Sequence, residues 1–107
     1  MAVITVQDDD PWLVARWAFD KVLAAAIDEV QGSPPLIQEL ESARALDGLS
    51  FSLVNPHEAR ELAIAIYRAA ERVSVEERPK TDSLSQSYVR ALKELRNQLD
   101  ARFHLPE

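Results

Sequence analysis

Residues 10–32 read DPWLVARWAFDKVLAAAIDEVQG, and the fold turns on how this stretch is interpreted. Asp10 can accept backbone hydrogen bonds as an N-cap, and Pro11 has the fixed φ and missing N–H that suit a first helical position. Asp8 and Asp9 add negative charge where a helix dipole is positive, and Gly32 offers a stop. Between these signals Trp12, Ala15, Phe19, Val22, Leu23, Ala26, Ile27 and Val30 recur at helical spacing, so one long helix from Pro11 to Val30 is predicted. Leu13, Val14, Trp17, Ala24 and Ala25 lie largely outside that stripe. A helix apolar nearly all round is expected either at the centre of the domain or at a subunit interface. Leu13 and Trp17 are therefore the candidates for self-association, in a homodimer.

Upstream, the β-branched run Ala2 to Val6 predicts a short strand. Downstream, Ser33-Pro34-Pro35 breaks the chain, and a shorter second helix is expected from Pro35, with Leu36, Ile37, Leu40 and Ala43 buried and Gly48 closing it. Leu49-Ser50-Phe51-Ser52-Leu53 alternates, which predicts a half-buried strand with Leu49, Phe51 and Leu53 inward. Asn55-Pro56-His57-Glu58 repeats the cap-and-proline arrangement, with Glu58 placed for a capping box. The third helix should bury Ala59, Leu62, Ala63, Ile66, Ala70 and Val73. Ser74 to Asp82, charged around Pro79, is expected to be an exposed connection. Ser83 with Gln86 gives another capping box, opening a fourth helix to about Arg102 with Leu84, Tyr88, Ala91, Leu92, Leu95 and Leu99 inward.

The expected architecture is a mainly α single domain over residues 1–107, with four helices and a minor two-strand element. Strand, Asx-Pro cap, helix, proline break and helix then recur, with Asp10 and Asn55 as corresponding caps 45 positions apart. Two short strands leave open edges, which a dimer across a two-fold axis could cover.

Composition bounds the function. With 47% hydrophobic and 28% charged residues the chain has the make-up of a folded globular protein. It lacks cysteine, so disulfides and thiolate chemistry are out, which fits a reducing cytoplasm. Met1 to Gln7 has neither a basic leader nor a long apolar core, so a secretory signal is not expected, and no apolar run reaches the roughly 20 residues of a membrane span. The net charge of −6 argues against nucleic acid or anionic membrane as partner. That acidity is uneven: residues 1–59 hold ten acidic and three basic side chains, residues 60–107 eight and nine. A basic protein partner is therefore expected at the exposed Asp28, Glu29, Glu39 and Glu41, which flank the first helical break.

Signals for catalysis are sparse. His57 and His104 have no second His or Cys at zinc-ligand spacing, and no G-x-S-x-G elbow is present. Gly32 and Gly48 cannot make a phosphate-cradling loop, and in the Asp8-Asp9-Asp10 run adjacent carboxylates point apart. A ribbon-helix-helix reading fails because Ala2-Val3-Ile4-Thr5-Val6 lacks polar and basic groove-reading side chains. Glu58-Ala59-Arg60-Glu61 sets two carboxylates at i and i+3, where they could share a magnesium ion. This pattern resembles one part of the magnesium site of the all-α nucleoside triphosphate pyrophosphohydrolases, whose motif continues with a further glutamate-aspartate pair on a later helix. The counterpart here, Glu94-Leu95-Arg96-Asn97, lacks the final acid.

The expectation is thus a non-catalytic protein-binding module without cofactor or metal, in its most concrete form a small acidic inhibitor of immunity-protein or antitoxin type. The alternatives are a magnesium-dependent nucleotide phosphohydrolase and a purely structural homo-oligomeric subunit.

Overall fold

The structure, a computed structural model, describes residues 1–7 and 10–105. Readings that involve Asp8 and Asp9 therefore lie outside the described residues. The architecture is mainly α: four helices and a small three-stranded sheet. Chain order is β1 (Ala2–Thr5), β2 (Trp12–Val14), α1 (Arg16–Glu29), α2 (Pro34–Leu46), β3 (Gly48–Ser50), a 3-10 turn (Phe51–Leu53), α3 (Pro56–Glu77) and α4 (Ser83–Phe103).

The largest departure from expectation is at residues 10–15. Pro11 does not start a helix; Trp12-Leu13-Val14 is a strand antiparallel to β1, in the register Ala2↔Val14, Val3↔Leu13, Ile4↔Trp12. A helix here would leave β1 without this partner and would carry Trp12 away from its seat. In the strand, Trp12 and Val14 face the core while Leu13 faces out, and the Trp12 indole Nε1–H donates to the Ala91 carbonyl at 2.7 Å. Pairing and burial of a large aromatic side chain outweigh a local cap-and-proline signal of about 1 kcal/mol. Asp10 belongs to the hairpin, its N–H donating to the Gln7 carbonyl. Helix α1 then begins at Arg16 with Ala15 as a cap that contributes no side-chain bond.

β1 is the central strand, antiparallel to β2 on one side and parallel to β3 on the other, so the sheet has three strands where two were expected. Its inner face, with Ala2, Ile4, Trp12, Val14 and Leu49, joins one continuous apolar core. The parallel β1–β3 pair is bridged by β2, α1 and α2. Leu49 starts the expected alternation, but the chain coils at Phe51, and Leu53 ends 88% exposed instead of buried. The turn seats the buried Phe51 ring 5.3 Å from that of Phe103.

Boundaries shift for local reasons. α2 starts one residue earlier than expected, at Pro34, and its C-cap is Asp47 at φ 55, not Gly48, which is the first residue of β3. Asparagine and aspartate tolerate this left-handed conformation better than most residues. Asn55 does cap α3, accepting from the His57 N–H at 2.9 Å. α3 runs on through the supposed connection to Glu77, because Ser74 and Glu77 are buried there and Lys21 and Lys80 meet the Glu77 carboxylate. α4 is capped by Asp82, which accepts from the Ser85 N–H at 2.9 Å, and not by Ser83. Leu84, expected inward, is 61% exposed.

α3 is the central helix, packed against α1 on one side and α4 on the other. Ala59, Ala63, Ala65, Ala69 and Ala70 are buried along it, and such small side chains let helices approach closely. α1 is also covered on several sides, by α2, α3 and β1. The radius of gyration, 12.8 Å, is that of a compact chain of this length, for which about 13 Å is usual. The recurring order survives only loosely: β1, β2, α1, α2 is followed by β3, the 3-10 turn, α3, α4, and the two supposed caps precede a strand and a helix respectively.

Candidate functional site: an uncharged groove between α1 and α4

The N-terminal turns of α1 and α4 lie side by side because Tyr88 ties them: its hydroxyl donates to the Ala18 carbonyl at 2.7 Å. Trp17 stands one position before that carbonyl and meets the Tyr88 ring edge-on, with centroids 5.1 Å apart. One turn up α4, Leu84 projects into solvent. Between these ridges runs a hollow of about 180 Å³ lined by Val14, Ala15, Trp17, Ala18, Leu84, Ser87, Tyr88 and Ala91. It contains no charged side chain. Its one titratable group, the Tyr88 phenol, is held neutral, pushed up from the ordinary tyrosine range by burial and secondarily by the Glu77 carboxylate. The Ser87 hydroxyl and the Tyr88 ring edge are its polar elements, and the remaining lining is apolar, so the hollow is suited to burying apolar surface.

Of the two expected self-association residues, Trp17 lines this groove at 47% exposure. Leu13, 56% exposed, stands instead on the outward face of the sheet, opposite Val3. Both Leu84 and Tyr88 were expected in the core stripe of α4; Tyr88 is buried as expected and also borders the groove, whereas Leu84 is exposed.

The four acidic candidates do not form one free surface. Arg72 reaches from α3 to both Asp28 and Glu29, at 3.4 and 3.1 Å. Glu41 lies 4.0 Å from Arg44, which also approaches Asp20 at 3.6 Å. Glu39 has no ion pair among the described residues. It borders a hollow at the α2–β3 end whose lining includes Ala43, Leu49 and Val54 together with Leu46 and Leu53, 79% and 88% exposed.

The ExxE carboxylates are on α3 as expected, Glu58 half-buried and Glu61 exposed. α3 and α4 run antiparallel, with Arg60 bonded to the Phe103 carbonyl and Glu71 paired with Arg96. That register puts Glu94 opposite the Glu71 region, about 15 Å along the helix axis from Glu61 at 1.5 Å per residue. The two halves of the would-be magnesium motif are thus kept apart. Among the described residues no three His, Cys, Asp or Glu side chains gather where they could hold a metal ion, and no helix is long and apolar enough to cross a membrane.

No family model matches the chain, and neither a curated protein nor a solved structure does.

Proposed function

We propose that this chain is a non-catalytic, cytoplasmic protein-binding module that associates with a second copy of itself through the α1–α4 groove. The observation that carries this reading is the groove's lack of any charged lining in a chain with 28% charged residues. A two-fold interface needs a surface complementary to itself, and this one offers two ridges, Trp17 and Leu84, beside a hollow of side-chain size. β2 adds an open strand edge next to it, the kind of edge that proteins cover by pairing. Sedimentation across a micromolar dilution series tests the reading, with tryptophan emission recorded in parallel. Trp12 is buried within one chain, so an emission shift on dilution reports Trp17. A constant monomer mass with unchanging emission at the highest concentrations rejects the proposal.

A second reading, an acidic inhibitor docking on a basic protein, is favoured by the α2–β3 hollow, where exposed Leu46 and Leu53 are rimmed by the unpaired Glu39. Apolar centres with charged rims are the usual anatomy of heteromeric interfaces. For a captured basic partner, Glu39→Gln should slow association and flatten its salt dependence, and an unchanged rate excludes this surface.

A further inference from the structure

At the α3–α4 turn, on the other side of α4 from the groove, Glu77, Arg78, Lys80, Gln86, Val89 and Arg90 line a cleft of about 240 Å³. The Glu77 carboxylate is already satisfied, one oxygen accepting from Lys21 and the other lying 3.2 Å from Lys80. Arg78 and Arg90 have no carboxylate partner among the described residues; Arg90 makes only a 3.4 Å bond to the Ser87 hydroxyl. This is unusual for the molecule. Of its twelve Lys and Arg residues, Arg16, Lys21, Arg44, Arg72, Lys80 and Arg96 pair with carboxylates, and Arg60 and Arg102 bond to backbone oxygens. Arg68, Arg78, Arg90 and Lys93 have no such partner among the described residues, and two of these four line one cleft while Lys93 follows Arg90 by one helical turn.

Residues 78–93 thus hold four basic side chains against one acidic, Asp82, whose carboxylate caps α4. In a chain of net charge −6, unpaired guanidinium groups gather beside a hollow instead of reaching the abundant carboxylates. Guanidinium forks match oxyanions bidentately, and the first turn of α4 contributes its positive dipole end nearby. We infer that this cleft binds the phosphate of a small ligand, held by Arg78 and Arg90 with Lys80 at its margin. Phosphate is favoured over a single carboxylate because two uncompensated cations face the same space.

The inference is independent of self-association, since Leu84 does not line the cleft. Titration with inorganic phosphate, glycerol phosphate, pyrophosphate and acetate, followed through backbone amide resonances, tests it. Phosphate or pyrophosphate should saturate shifts at Arg78, Gln86 and Arg90, with binding weakened by salt. Binding of a phosphate monoester such as glycerol phosphate at least as tight as that of inorganic phosphate identifies a ligand-borne phosphate; weaker binding identifies the free ion. The double variant Arg78→Gln with Arg90→Gln should weaken binding about tenfold or more, as expected when two charge-assisted hydrogen bonds are lost. Arg68→Gln, in a separate hollow, should leave binding unchanged. Shifts no larger than those from sodium chloride at equal ionic strength overturn the inference. Retention of binding by the double variant, or an equal response to acetate, does so as well.

Discussion

The α1–α4 groove and the Asp28–Glu29 face are both exposed, yet they differ in what their side chains already hold. Asp28 and Glu29 are engaged by Arg72 within the same chain, whereas Trp17 and Leu84 keep nearly half or more of their surface in water. Charge on a surface is thus a poor guide to its availability. A carboxylate can be neutralised by a long cation from the neighbouring helix, but apolar area is removed from water only by being covered.

The strongest perturbation is predicted at the groove. Leu84→Glu places a charge on the ridge, and should weaken self-association by about 2 kcal/mol or more, roughly thirtyfold, as for a central interface residue. Its thermal midpoint at low concentration should hardly move, because Leu84 is 61% exposed in the single chain. Sedimentation equilibrium and calorimetry separate the two quantities.

Next in size is the internal carboxylate. Glu77→Gln removes a buried ionised acceptor shared by Lys21 and Lys80, and urea unfolding should show a loss of about 1–3 kcal/mol at neutral pH. The Lys21 hydrogen bond holds the Glu77 carboxyl below its ordinary value of 4.5, against the opposing effect of burial, with Lys80 adding to the lowering. The stabilisation it gives is complete above the unfolded value and disappears as pH falls through the lower folded one. The difference between wild type and Glu77→Gln should therefore narrow in acid, and a gap that stays constant with pH removes the ionic account.

Smaller still, Arg72→Gln should cost no more than about 1 kcal/mol, since the pairs it makes are solvent-exposed, and the cost should shrink in high salt. Smallest is joint neutralisation of Asp28, Glu29, Glu39 and Glu41, which should change stability by less than about 0.5 kcal/mol, because loss of the Arg72 and Arg44 pairs is offset by relief of acidic repulsion in a chain of net charge −6. If a basic protein uses that face, the same variant slows its association, and the Arg72→Gln chain, with Asp28 and Glu29 released, speeds it.

Helix number, the mainly α class and most core positions were legible because period-3.6 apolar stripes report burial directly, as at Leu62, Ile66, Leu92, Leu95 and Leu99. What failed depends on partners distant in the chain. Asp10-Pro11 and Asn55-Pro56 carry the same local signal, but only the second leads into a helix; Trp12 and Val14 are claimed by β1 and by the Ala91 carbonyl. Glu77 looked like loop charge because Lys21, 56 positions away, is what permits its burial. The groove was half legible: Trp17 stood out as surplus apolar surface, while Leu84 shares the helical spacing of the buried α4 stripe although it is exposed.

The hydrogen bonds that close the molecule have a consequence for its synthesis. Trp12 is held by Ala91, Ala18 by Tyr88 and the Val6 carbonyl by Arg102, so the earliest elements are fastened by α4, which is made after all the others. A growing chain that has not yet produced α4 leaves the hairpin's indole N–H without its acceptor and one flank of α3 in water. Deleting α4 is therefore expected to cost the hairpin and the first three helices their cooperative unfolding transition, which urea denaturation of a chain ending at Pro79 checks.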